Sequence, residues 1–211
     1  MLFSYPNQPH SRKHGPRGYL NHDGFKEWLR DEFTFRCVYC LFRERHYPND
    51  KDAFSVDHHL AQKPHPKLAL EYDNLVYACV ACNSRKKAKL ALDPCKEAFS
   101  SHLHVNSDGI VTGLSVEGKD LVDCLSLNRP KLVRSRQKHL LMENIVANAP
   151  SVTDLTDRER VLIECHKDTL RFPEDLPNLA ALRPPKGNSR PCGVLNCFFA
   201  LAATGRLPNA Y

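Results

Sequence analysis

The chain has 211 residues with 30 Lys and Arg against 24 Asp and Glu, a formal charge of +6, and 42% hydrophobic residues. That length buries one sizeable core, or a small core with a helical appendage, and the mild basic excess suits a polyanionic partner without requiring one. Nine cysteines follow an N-terminus without an apolar signal region, and the longest apolar run, GVLNCFFALAA, is too short to cross a bilayer; the expectation is a chain without a disulfide framework or a membrane anchor, in a reducing cytoplasmic compartment.

Residues 1–20, rich in Pro, Gly, His and Arg, show no periodicity and read as a flexible arm. Order is predicted to begin in HDGFKEWLRDEF, where Phe25, Trp28, Leu29 and Phe33 recur at helical spacing behind Asp23 as N-cap. SVDHHLA has the length and β-branched start of a short strand, LVYAC reads as a second, and a basic helix is predicted over about Ser84 to Leu92. DPCKEAF then suggests a helix with Asp93 as N-cap and Pro94 at its first position, and Asp108-Gly109 marks a hairpin.

Further on, Pro130 opens a long helix whose apolar stripe is read as Leu132, Val133, Leu140, Leu141, Ile145 and Val146. Another helix is predicted from about Asp154 to Leu170, capped from TDLTDRE, and the Pro-rich 171–191 stretch argues against regular structure until the apolar terminal run. The fold class expected is α+β: a small core over 21–103, then a hairpin and a mainly α-helical region over 104–211.

The strongest chemical signal is CVYC paired with CVAC. Cys37, Cys40, Cys79 and Cys82 form two Cys-x-x-Cys knuckles whose turns hold sulfurs about 3.5 to 4 Å apart, the spacing of a tetrahedral Zn²⁺ site with Zn–S bonds of about 2.3 Å. A zinc closed by four thiolates has no open position, so it folds the chain and any chemistry lies elsewhere. Cys95, Cys124, Cys165, Cys192 and Cys197 read as small buried hydrophobes, with CGVLNC plus His166 as the weaker possibility of a second zinc site.

Taken together, CVYC, SVDHH and EYDNLVYACVACNSRKK resemble the HNH endonucleases over about residues 25–95. The resemblance implies a ββα-metal core that hydrolyses DNA phosphodiester bonds with one divalent ion, Mg²⁺ or Mn²⁺. It places the general base at His58, metal ligands at Asp57 and Asn83, a loop-holding role at Asn74 and a phosphate contact at Lys86. The residue types suit that chemistry: a neutral imidazole can take a proton from water near pH 7, and carboxylate and amide oxygens are hard ligands. Where relatives carry an apolar residue this chain has His59, which leaves open a shifted register with His58 as ligand and His59 as base. Arg85, Lys87 and Lys89 are further candidate contacts to the phosphate backbone, and Arg129, Lys131, Arg134, Arg136 and Lys138 form a second basic cluster. DNA is the implied partner, with a protein subunit beside it and defence or mobile-element biology as the setting. A zinc-knuckle module that binds nucleic acid or scaffolds another subunit without cutting is the competing reading.

Overall fold

The computed structural model describes residues 2–47, 49–148 and 155–208. Its centre is a two-stranded antiparallel sheet. Strand β1 (Phe54–His58) pairs with β2 (Leu75–Cys79) in a register running from Phe54 opposite Cys79 to His58 opposite Leu75. Every β2 residue is buried, which is why LVYAC reads as an apolar run rather than an alternation. Helix α1 (Lys26–Glu32) packs on one side and α2 (Val80–Lys86) continues directly from β2, giving a ββα unit.

Helix α1 is entered through a 3-10 turn, His22–Phe25, and its N-cap is Asn21, whose side chain accepts from Gly24 N; Asp23, the predicted cap, lies inside that turn. The helix buries Trp28 and Leu29 together with Arg30, Asp31 and Glu32. Buried charges must be paired. Arg30 donates two bonds to Glu44, at 2.9 and 2.8 Å, and Asp31 accepts from His14 Nε2 and Phe198 N, both at 2.7 Å. Glu32 accepts from the backbone of Lys13 and His14 and from Tyr72 Oη, and pairs with His10 at 2.7 Å.

These bonds bind both ends of the chain to α1. Instead of running free, the segment expected as an arm buries Phe3, Tyr5 and His14, and Pro16 forms a bridge with Asn188.

DPCKEAF makes one turn capped by Asp93, which accepts from Cys95 N, and does not extend into a helix. Strands β3 (Leu103–Val105) and β4 (Val111–Gly113) form the predicted hairpin, with Gly109 at φ +72 in its turn. Helix α3 (Val116–Leu125) crosses close to it: a Cβ on Gly118 would sit 2.0 Å from the carbonyl oxygen of His102, so only glycine allows that approach.

The long helix α4 runs Pro130–Asn148, and its buried face is Leu132, Arg136, His139 and Met142. Leu141 and Val146 of the predicted stripe are 56% and 43% exposed. Helix α5 spans Asp157–Thr169, capped by Thr156 in a reciprocal box with Glu159; Asp154, where the helix was predicted to start, lies outside the described residues. The Pro-rich stretch is irregular and two short helices follow, α6 (Cys192–Leu195) and α7 (Phe198–Ala203). Among the described residues no helix is long and apolar enough to cross a membrane.

Candidate functional site: the cysteine quartet and the end of strand β1

Cys37 and Cys40 sit in the tight turn after α1, held by Cys37 N to Phe42 O and by Val38 N to Tyr77 O of β2. Cys79 ends β2 as the N-cap residue of α2, and Cys82 lies in that helix's first turn. The predicted basic helix therefore starts at Val80, inside the second knuckle, and stops at Lys86 because Lys87 turns to φ 52. The four sulfurs lie within 4.8 Å of one another, with Cys40 and Cys79 3.8 Å apart, and none of the four residues is more than 1% exposed. Tetrahedral zinc requires S···S separations of about 3.8 Å, so the quartet fits a structural zinc. The three neighbouring sulfurs, Cys37 first, hold Cys79 far below the ordinary thiol range, whereas burial pushes Cys37 and Cys40 well up. A bound dication allows all four to be thiolates at once.

The quartet fastens the turn before β1 to the helix after β2, and the end of β1 lies beside that junction. Asp57 is 3% exposed; Tyr39 Oη donates to its Oδ2 at 2.6 Å and Lys86 Nζ to its Oδ1 at 3.2 Å. Burial raises the Asp57 carboxyl above its usual range, opposed by the charge of Lys86. Lys86 also donates to the carbonyl of His58 at 2.6 Å and has no exposed surface. In this conformation the residue expected to meet phosphate is an internal counter-ion, because α2 aims it inward beneath β1. Tyr39, between the knuckle cysteines, was not singled out from the sequence; a phenol in that slot is the one signal that could have marked it.

An expected result follows for Lys86→Met. Leaving Asp57 buried without its cation should destabilise the fold by about 3 kcal/mol, with part of the loss recovered as the pH is lowered and the carboxyl takes up a proton. Urea unfolding at two pH values measures it; unchanged stability would show that the ion pair does not form in solution.

The imidazole of His58 is half-buried, and its Nε2 lies 3.0 Å from the carbonyl oxygen of Ala69. A carbonyl only accepts, so that contact puts the hydrogen on Nε2 and leaves the lone pair on Nδ1; Gln62 Nε2 lies 2.8 Å from the same ring nitrogen. Burial moves the His58 pKa below the ordinary histidine value, and the ring of His22 stands edge-on at 5.2 Å.

His59 turns to a different neighbourhood. Its Nε2 lies 3.8 Å from Asp93, its Nδ1 is buried without a hydrogen-bond partner, and it borders a cleft shared with Lys89, Lys96, Glu117 and Cys124. Burial lowers its pKa as well.

Asn74 clasps the loop between the two strands: Leu60 N donates to its Oδ1 at 2.8 Å, and its Nδ2 donates to the carbonyls of Leu60 and Leu68. Asn83 donates from Nδ2 to Ser55 Oγ at 2.9 Å and to Val56 O at 3.2 Å, so Oδ1 is the atom it could offer a metal ion. Arg85, Lys87 and Lys89 are exposed at and beyond the end of α2. The second basic cluster divides: Lys131, Arg134 and Lys138 are exposed on α4, whereas Arg136 is fully buried. His166 faces His139, with their Nδ1 atoms 3.3 Å apart, and Cys197 caps α7 by accepting from Ala200 N. Among the described residues the cysteine quartet is the sole group of three or more His, Cys, Asp or Glu side chains close enough to hold an ion.

Comparison with known proteins agrees with this geometry. No solved structure matches the chain. A Septu protein PtuB of Bacillus thuringiensis is 28% identical over 99 residues, which is 44% of this chain and 37% of that protein, so the match spans little over a third of the curated relative's length. Residues 37–89, from the first knuckle to just past α2, match the model of the HNH endonuclease family, and this chain thus carries an HNH domain built around a four-cysteine cluster.

Proposed function

We propose that the chain is a metal-dependent endonuclease that hydrolyses DNA phosphodiester bonds with His58 as general base. The observation that carries this reading is the half-buried His58 imidazole at the end of β1, with Nε2 3.0 Å from Ala69 O; with the hydrogen on Nε2, Nδ1 keeps its lone pair. Asn74, bonded to both Leu60 and Leu68, holds the loop against which that ring is set. In the reaction, Nδ1 removes a proton from water as the water oxygen attacks phosphorus in line with the leaving 3′ oxygen. Asp57 and Asn83 would hold Mg²⁺ or Mn²⁺; both offer hard oxygen atoms, and Asn83 already bonds the carbonyl of Val56, next to Asp57. Bound there, the ion stabilises negative charge on the transition state and on the leaving oxygen. Lys86 now supplies the positive charge at Asp57 and must give way for an ion to share that carboxylate. Arg85, Lys87 and Lys89 supply sequence-independent contacts to the DNA backbone.

That same Lys86–Asp57 pair favours a second reading, a zinc-knuckle module that binds nucleic acid without cutting it. Plasmid, linear and single-stranded DNA, incubated with the purified protein in Mg²⁺ or Mn²⁺, decide between them. The assay includes a partner subunit, since the likeness to a Septu protein and the family resemblance make defence or mobile-element biology the setting we propose. Intact DNA in every condition would leave the binding module.

The pH dependence of cleavage tests the base itself. A base works only when neutral, and the His58 pKa lies below the ordinary value, so activity should hold through neutrality and fall only below about pH 6.5. An acid limb centred well above that value would exclude His58 in this environment.

A further inference from the structure

A general base works only when its lone pair points at the water it deprotonates, and the torsion that sets the plane of a histidine ring is a soft one. Both polar neighbours of His58, the Ala69 carbonyl at 3.0 Å and the Gln62 amide at 2.8 Å, meet the ring at Nε2. Bonds at one atom restrain that atom; the plane of the ring, and with it the direction of Nδ1, takes a contact elsewhere. His22 supplies one. Its ring stands at 77° to that of His58 with centroids 5.2 Å apart, the edge-to-face arrangement that aromatic pairs favour.

His22 opens the 3-10 turn His22–Phe25, and that turn is firmly seated. Asn21 Oδ1 accepts from Gly24 N at 3.1 Å. Gly24 lies against the ring of Tyr19, where a Cβ would come within 2.6 Å of a ring carbon, and Tyr19 Oη in turn accepts from Trp28 Nε1 at 3.0 Å. Phe25, with no exposed surface, sets its ring 4.9 Å from that of Tyr19 and 5.9 Å from that of Tyr72. The His22 side chain itself stays 39% exposed, so the turn, rather than burial of the imidazole, sets its place. Tyr19 and the whole turn precede residues 37–89, the segment matched by the family model.

We propose that His22 is a positioning residue for the nuclease site: its ring sets the plane of the His58 imidazole, so that the segment before the HNH domain completes the centre. This rests on the reading of His58 as the general base. The role belongs to the ring and not to its nitrogens, so another flat aromatic side chain should replace it. Because His22 is partly exposed, His22→Ala and His22→Phe should both keep the fold.

The experiment measures initial rates of plasmid cleavage by full-length wild type, His22→Ala and His22→Phe against DNA concentration, at saturating Mg²⁺ or Mn²⁺, after the melting temperature of each protein is recorded. His22→Ala should lower kcat about tenfold with KM and melting temperature unchanged, whereas His22→Phe should stay within about threefold of wild type. If the alanine variant melts early, His22→Gln, which is polar and has no ring, takes its place and should show the same loss. A ringless variant that cleaves at the wild-type rate overturns this inference alone, and so does a phenylalanine variant as slow as the ringless one. Wild type that cleaves no DNA in any condition overturns the nuclease reading and this inference with it.

Discussion

Cys79→Ser should unfold the HNH domain, with loss of the cooperative melting transition and of bound zinc. The residue closes β2, caps α2 and places its sulfur 3.8 Å from that of Cys40, so one substitution releases a strand end, a helix start and the opposite knuckle. A structural zinc in such a frame contributes folding free energy of about 10 kcal/mol or more, comparable to the whole stability of a domain this size. A two-stranded sheet is marginal in water unless it is packed or stapled, so the ββα unit depends on α1 packed against it and on the quartet that ties its ends together. Chelating zinc from the wild type should have the same effect. Circular dichroism with thermal melting measures both, and a serine variant with native spectrum and melting would mean that the quartet does not carry the fold.

The second large effect belongs to His58. Removing a general base costs about 10² to 10⁴ in rate, and His58→Ala should do so without unfolding the chain, because the ring is half-buried and its polar neighbours are a loop carbonyl and the partly exposed Gln62 side chain. His59→Ala should leave cleavage largely intact. Strand alternation turns the two rings to different surroundings, His58 toward Ala69 and Gln62, His59 toward Asp93 and the cleft. A base at His59 would instead need Asp93 as its orienting carboxylate.

Much of this site could be read from the sequence because its signals are local. LVYAC is a β-rich run that follows an asparagine and ends in a cysteine, and it forms a strand over those same residues, Leu75–Cys79. The two knuckles have fixed spacing, and their sulfurs converge. What escaped depends on contacts between distant parts of the chain. Residues 2–20 have no periodicity, yet His10, Lys13 and His14 converge on Glu32 and Asp31 of α1. Lys86 reads from the sequence as a phosphate contact, and its partner in the fold, Asp57 on β1, lies 29 residues earlier in the chain. The face of α4 was misjudged for the same reason, since hydrophobic pattern favours Leu141 over Arg136, and only the carbonyls of Gly109 and Leu127, from outside the helix, make the arginine the buried residue. The start of α2 was placed too late because Cys79, Val80 and Cys82 were assigned to a knuckle, and a knuckle can also be the first turn of a helix.

The central claim is that the end of β1 is a nuclease site with His58 as its base. Plasmid cleavage by wild type, His58→Ala and His59→Ala, purified identically and titrated with Mg²⁺ and Mn²⁺, tests it most directly. The account predicts cleavage by the wild type and by His59→Ala, and a loss of at least about 10²-fold in His58→Ala with its melting temperature unchanged. Cleavage that survives in His58→Ala and disappears in His59→Ala would contradict it.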